Sequence, residues 1–170
     1  MNLGEDLGAA PPGLARRFAA LLYEGVLLFG VLFFAGMLHA ALSNRPQATQ
    51  DRLSLSLFLF CVLGLYFVGF WTRSGQTLAM KTWHLRVIDA SGGPLGWRRA
   101  LLRYLLSWLW FLPALASVWA LGLHGGAAIF GSLTAGMLAY LLIARLHPQR
   151  QFLHDLLSGS RVISQIPQRP

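Results

Sequence analysis

The sequence predicts an all-α membrane protein: a bundle of four transmembrane helices with a short interfacial segment on the cytoplasmic side. Three observations carry this expectation. Of 170 residues, 55% are hydrophobic and only 12% are charged, about half the charged fraction of a soluble domain. Four stretches, residues 18–42, 53–71, 104–123 and 125–144, hold Glu24 as their one charge. Each has close to the roughly 20 residues needed to cross about 30 Å of hydrocarbon. The basic residues are also unevenly placed. With a cytoplasmic N-terminus, Arg16, Arg17, Arg73, Lys81, Arg86, Arg98, Arg99, Arg103, Arg145, Arg150, Arg161 and Arg169 fall on one side, leaving only Arg45 and Arg52 on the other. This asymmetry predicts that both termini are cytoplasmic. It also accounts for the net charge of +8 without nucleic acid, for which no aromatic-interleaved basic module is present.

Residues 1–13, with Glu5, Asp6 and Pro11-Pro12-Gly13, read as a mobile tail. The first span follows Arg16-Arg17 and contains Glu24. A carboxylate at that depth costs at least about 2.5 kcal/mol, so it marks a functional position. Arg17 and Glu24 are seven residues apart, two helical turns, and project from one face. Glu24 is expected to point into the bundle, toward Ser107, Thr134 or Tyr140, because lipid would leave its carboxyl without partners. The apolar run is too long for the core of a signal peptide, and Glu24 would interrupt it.

Residues 43–52 form a polar external loop with Pro46 as its breaker. The second span ends on Phe70-Trp71, an aromatic pair suited to the membrane boundary. It contains Cys61, the one cysteine of the chain, which reads as a packing residue and excludes an internal disulfide or a thiolate metal cluster.

Residues 72–103 make the largest piece outside the hydrocarbon. Residues 77–81 open a short interfacial helix. Residues 84–89 are rich in β-formers and, with the turn at 90–94, read as a small β-hairpin. Residues 96–103 form a basic amphipathic ramp in which Trp97, Leu101 and Leu102 dip into the interface while Arg98, Arg99 and Arg103 reach lipid phosphates.

The 41 residues from 104 to 144 hold no formal charge. As one helix they would be roughly 60 Å long, twice the hydrocarbon thickness, so the glycines at 122, 125 and 126 must fold them into a hairpin. Pro113 predicts a kink in the third span. The fourth span carries Ala127, Gly131 and Ala135, and Ala128, Ser132 and Gly136, at four-residue spacing, which permits close helix packing. Beyond it, residues 151–158 are amphipathic and Arg161-Val162-Ile163 reads as a strand.

No phosphate-binding, zinc-protease or nucleophile motif is present. The histidines at 39, 84, 124, 147 and 154 lack metal-ligand spacing. The expectation is a protein without metal, cofactor or enzymatic activity.

Three stretches taken together resemble the RDD family of small bacterial membrane proteins. One runs from Arg16-Arg17 to Tyr23-Glu24, similar to the family's arginine followed seven residues later by an aspartate. Another is Gly75-Gln76-Thr77-Leu78-Ala79-Met80-Lys81, continued by Leu85-Arg86-Val87, Gly93, Arg99 and Leu102-Arg103. The third is His154-Asp155-Leu156-Leu157-Ser158-Gly159-Ser160-Arg161-Val162-Ile163, similar to the closing aspartate motif. Two positions depart from the pattern: Glu24 replaces an aspartate, and Ala79 a glycine. The resemblance implies one membrane domain over residues 14–163, between the tail at 1–13 and a second at 164–170. It also implies a multi-pass protein of the bacterial inner membrane and transport, sodium/proton antiport having been proposed for some members.

Two functions stay open at this level. In the first, an acid in low dielectric resists ionisation, and Glu24 alternates between a proton and a small cation. Arg17 and Asp155 complete its polar network, with Gln76, Thr77, Lys81, Arg86, Arg103 and His154 as the supporting cytoplasmic motif. So small a chain then needs a homo-oligomer to build a path. In the second, the protein is a non-catalytic accessory or scaffold that binds a membrane partner or lipid. In both, Arg17 is expected to pair with Asp155, because Glu24 lies about 10 Å deeper along the helix axis and a partly desolvated guanidinium favours a carboxylate. That pair would pin the tail through Leu153, Leu156 and Leu157.

Overall fold

The computed structural model describes residues 12–43, 52–122, 125–146 and 152–165. Most of the expected tail at 1–13, the loop around Pro46, His124 and all but two residues of the C-terminal tail (164–170) lie outside the described residues.

Four helical segments are long and apolar enough to cross a membrane, at Ala15–Leu42, Arg52–Arg73, Trp97–Ala120 and Gly126–Ile143. The first is helix α1 (Leu14–Leu42), whose first turn folds onto Gly13: the Arg16 and Arg17 amides both donate to the Gly13 carbonyl. Its 29 residues make a rod longer than the hydrocarbon is thick, which brings Arg17 to one end. The second is α2 (Arg52–Arg73). In both, the most apolar 18-residue stretch buries none of its residues within the chain. Phe29, Phe34 and Leu65 point outward, as hydrocarbon allows and water would not.

The third span is broken. Helix α4 (Trp97–Ser107) leads into a 3-10 turn (Trp108–Trp110), and α5 (Leu112–Ala120) restarts with Pro113 in its first turn. Proline lacks an N–H and its ring clashes with the preceding turn, so a helix start is where it fits. The expected kink is therefore a break and restart. The fourth span, α6 (Gly126–Leu146), packs against α5. Gly122 and Gly125 between them adopt φ of +60° and +140°, values that favour glycine.

Between the second and third spans lie α3 (Leu78–Thr82) and strand β1 (Leu85–Asp89); after the fourth come α7 (Leu153–Leu157) and β2 (Ser160–Ser164). The expected local hairpin does not form. Asp89 and Gly93 close a turn, but β1 pairs antiparallel with β2, Val87 opposite Val162. After the turn, Pro94-Leu95-Gly96 leads straight into α4, so the nearest β-forming partner is the distant tail. Gly75 makes the entry to β1: at φ +70° its carbonyl accepts from the Val87 amide, and a Cβ there would sit 2.7 Å from the Val87 carbonyl oxygen.

A two-stranded sheet is marginal by itself, and this one is held by the helix ends. Ala20, Trp71, Leu85, Val87, Leu95, Ala100, Tyr104 and Val162 form one buried cluster. The core thus sits where the sheet meets the first three spans. Contrary to the expectation from sequence, Arg103 does not reach outward from the ramp. It is 6% exposed, because α7 packs against α4 and covers it.

Candidate functional site

Two polar clusters meet the wall of one cavity. The first surrounds Glu24, which is 8% exposed. The Tyr66 hydroxyl of α2 donates to Glu24 Oε1 at 2.6 Å, and the Thr77 hydroxyl donates to Oε2. Thr77 is also the N-cap of α3, and its side-chain oxygen accepts from the Met80 amide. One hydroxyl therefore ties the segment after α2 to the first membrane helix.

These are not the partners the sequence suggested. The Ser107 and Thr134 hydroxyls donate to carbonyls of their own helices, those of Tyr104 and Phe130, and Tyr140 bonds His154. The reason is packing: α1 lies against α2 and α3, which bring Tyr66 and Thr77 to the carboxylate. Tyr66 was missed, although a phenol deep in an apolar span is a signal because its hydroxyl needs a partner there.

The second cluster is built on Asp155. It pairs with Arg103, not with Arg17: Arg103 Nη2 donates to Asp155 Oδ1 at 2.5 Å, with both side chains buried. Arg103 Nε donates to the Ser160 hydroxyl, and the guanidinium lies 4.2 Å from the centre of the Trp71 ring, a favourable cation–π placement. The helical position of the tail decides the partner, because α7 packs on α4 rather than on the start of α1. Arg17 instead donates to the Val162 carbonyl at 3.5 Å and lies over the Phe152 ring. Its neighbour Arg16 donates to the Ser164 hydroxyl at 2.8 Å, so both arginines fasten α1 to the tail.

His154 stacks with the rings of Tyr140 and Phe152. The Tyr140 hydroxyl accepts from the His154 amide at 3.0 Å and lies 2.8 Å from Nδ1. The other ring nitrogen, Nε2, lies 3.4 Å from Asp155 Oδ1. Burial pushes the imidazole down to about 4, further lowered by Arg103 and Arg17 and only partly countered by Asp155. The ring is neutral near pH 7, so its contact with Asp155 is not an ion pair. Burial alone would raise the Asp155 carboxyl, but Arg103, His154 and Arg17 outweigh it and hold the group below its ordinary range.

The supporting motif is divided. Gln76 donates to the Leu85 carbonyl and to the Gln165 side chain, and the Arg86 side chain lies against Gly75. Lys81 is exposed in the last turn of α3. Arg99, from the same stretch, pairs with Asp89.

The cavity has a volume of about 790 Å³ and is bounded by all four spans and the tail. Its walls are mainly leucine, methionine and aromatic side chains, with Arg17, Glu24, Thr77, Arg103, Ser107 and His154 as the polar groups. Among the described residues Glu24 is the one carboxylate in that wall. No group of three or more His, Cys, Asp or Glu is placed to hold a metal ion among the described residues.

A family model described as "RDD family" matches residues 11–159, and the chain belongs to that family of membrane proteins. No curated protein and no solved structure matches it.

Proposed function

We propose that this RDD-family membrane protein exchanges a proton for a cation at Glu24, within the cavity that its four spans line. One observation carries the reading: a buried carboxylate in an apolar wall is held by two neutral hydroxyls, Tyr66 and Thr77, and has no cationic partner within 4.0 Å among the described residues. Such a group has two ways to be neutral, by a proton or by a bound cation. The exchange is balanced: the carboxylic acid releases its proton as the cation pairs with the carboxylate. Arg103 and Asp155 neutralise each other and serve as the clamp beneath the cavity rather than as the exchanging pair.

The reading includes an inner-membrane location with both termini cytoplasmic, supported by the distribution of basic residues. It includes no covalent catalysis. A homo-oligomer is the transporting unit, because one copy supplies a single cavity acid.

The competing reading is a scaffold for a membrane partner or lipid, favoured by the buried Arg103–Asp155 clamp, which has a structural role without any transport. Cation-dependent proton flux in proteoliposomes separates the two. Wild-type protein is expected to dissipate a pH gradient when cation is added, and Glu24→Gln is expected to abolish this. Equal flux from both proteins, or from neither, removes the transport reading.

A further inference from the structure

We infer that the cation taken by this cavity is a lipophilic organic one rather than a metal ion. This rests on the exchange reading at Glu24 and adds the chemistry of the substrate.

The volume is the first argument. About 790 Å³ falls within the roughly 300–1,000 Å³ of small-molecule sites, far more than a dehydrated metal ion occupies.

Ligand supply is the second. A metal ion leaving water needs a shell of oxygens to replace its hydration. Around Glu24 the hydroxyls of Tyr66 and Thr77 donate to the carboxylate, and the Thr77 oxygen already accepts from the Met80 amide. The other hydroxyls in the wall, of Ser107 and Tyr104, donate to the Tyr104 and Phe60 carbonyls. Glu24 is left as the one anionic ligand in the wall among the described residues, with only the remaining lone pairs of these hydroxyls beside it, a sparse shell for a bare ion. An organic cation is weakly hydrated and needs no such shell.

The third argument is the wall. Phe67, Tyr104, Trp108 and Phe111 line the cavity, and aromatic faces attract desolvated cations. The chain's own cations are accommodated in this way at the cavity edge, Arg103 over Trp71 and Arg17 over Phe152.

The groups around the carboxylate leave it available to a cation. On its own helix Arg17 lies two turns away, engaged with Val162 and Phe152. The third span presents Arg103, neutralised by Asp155. The tail presents His154, neutral near pH 7. The second span and α3 present only the Tyr66 and Thr77 hydroxyls.

The test uses the purified full-length protein in detergent with radiolabelled tetraphenylphosphonium, in weak buffer with a pH indicator. The expected result is saturable binding that releases protons, weakens as the pH is lowered, and is not displaced by a large excess of sodium. Tetraphenylborate, of the same shape and opposite charge, is expected not to compete. Glu24→Gln is expected to weaken binding at least about tenfold and to end proton release, and Phe111→Ala to weaken binding a few-fold. If sodium releases protons and tetraphenylphosphonium does not, the inference is overturned while the exchange at Glu24 stands. If neither cation releases protons, both fall. Equal competition by tetraphenylborate marks adsorption without charge selection and also overturns the inference. That comparison is made on wild-type protein, so it holds even if the variants fail to fold.

Discussion

Arg103 and Asp155 meet at 2.5 Å with their side chains 8% and 0% exposed, joining the third span to the tail beneath the cavity. A buried pair gains little over an apolar one, but breaking it leaves a charge uncompensated in low dielectric. Asp155→Ala or Arg103→Ala is therefore expected to cost about 3–5 kcal/mol, read from unfolding in detergent. Arg103→Leu with Asp155→Leu should cost less than the sum of the single changes to leucine. Exchanging charges between Arg17 and Asp155 should not restore stability, since the direct pair of Asp155 is with Arg103. Recovery in that double variant would contradict the clamp.

Acid should loosen the same region. His154 titrates at about 4 in the folded protein against an ordinary value of 6.5, so the unfolded chain binds more protons between those values. Stability is then present above about pH 6.5 and lost as the pH falls toward about 4, by about 3 kcal/mol for a shift of that size. Asp155 acts with the same sign at lower pH, because its depressed carboxyl stabilises the fold until it is protonated. The unfolding midpoint should drop across this range in wild type, and His154→Gln should flatten the upper part of the slope. A midpoint indifferent to acid would show that the imidazole is not buried neutral.

Thr77 has two hydrogen-bonding roles, cap of α3 and donor to Glu24. Thr77→Val keeps the volume and removes both, with an expected loss of about 1–3 kcal/mol. Thr77→Ser keeps the hydroxyl and should retain most of the stability. Equal losses in the two variants would assign the effect to packing of the methyl group instead.

The membrane orientation expected from the charge distribution can be read by labelling. On a Cys61→Ser background, Gln47→Cys should react with an impermeant thiol reagent from the external side, and Gln165→Cys only after the membrane is opened. The reverse pattern would invert the topology.

The four spans, the break at the glycines after the third and the lone acid in the first apolar run were legible in the chain, and Pro113 signalled a bend, though not the break and restart that the third span makes. Each depends on local quantities: run length against bilayer thickness, glycine and proline backbone limits, and one charge among apolar neighbours. The family pattern likewise pointed to Arg17, Arg103 and Asp155, which the structure places in buried positions. Their pairing was not legible. Asp155 was matched to the wrong arginine because the positive end of the bundle offers several, and only the seating of α7 on α4 brings Arg103 within reach. The partners of Glu24 were missed because Tyr66 and Thr77 lie 42 and 53 residues away, on elements whose rotation about α1 no periodicity specifies. The β-forming stretch at 84–89 was expected to form a local hairpin across the turn at 90–94; its strand, 85–89, instead pairs with residues 160–164, since a strand's need for hydrogen bonds is local while the choice of partner depends on which backbone the packed helices bring beside it.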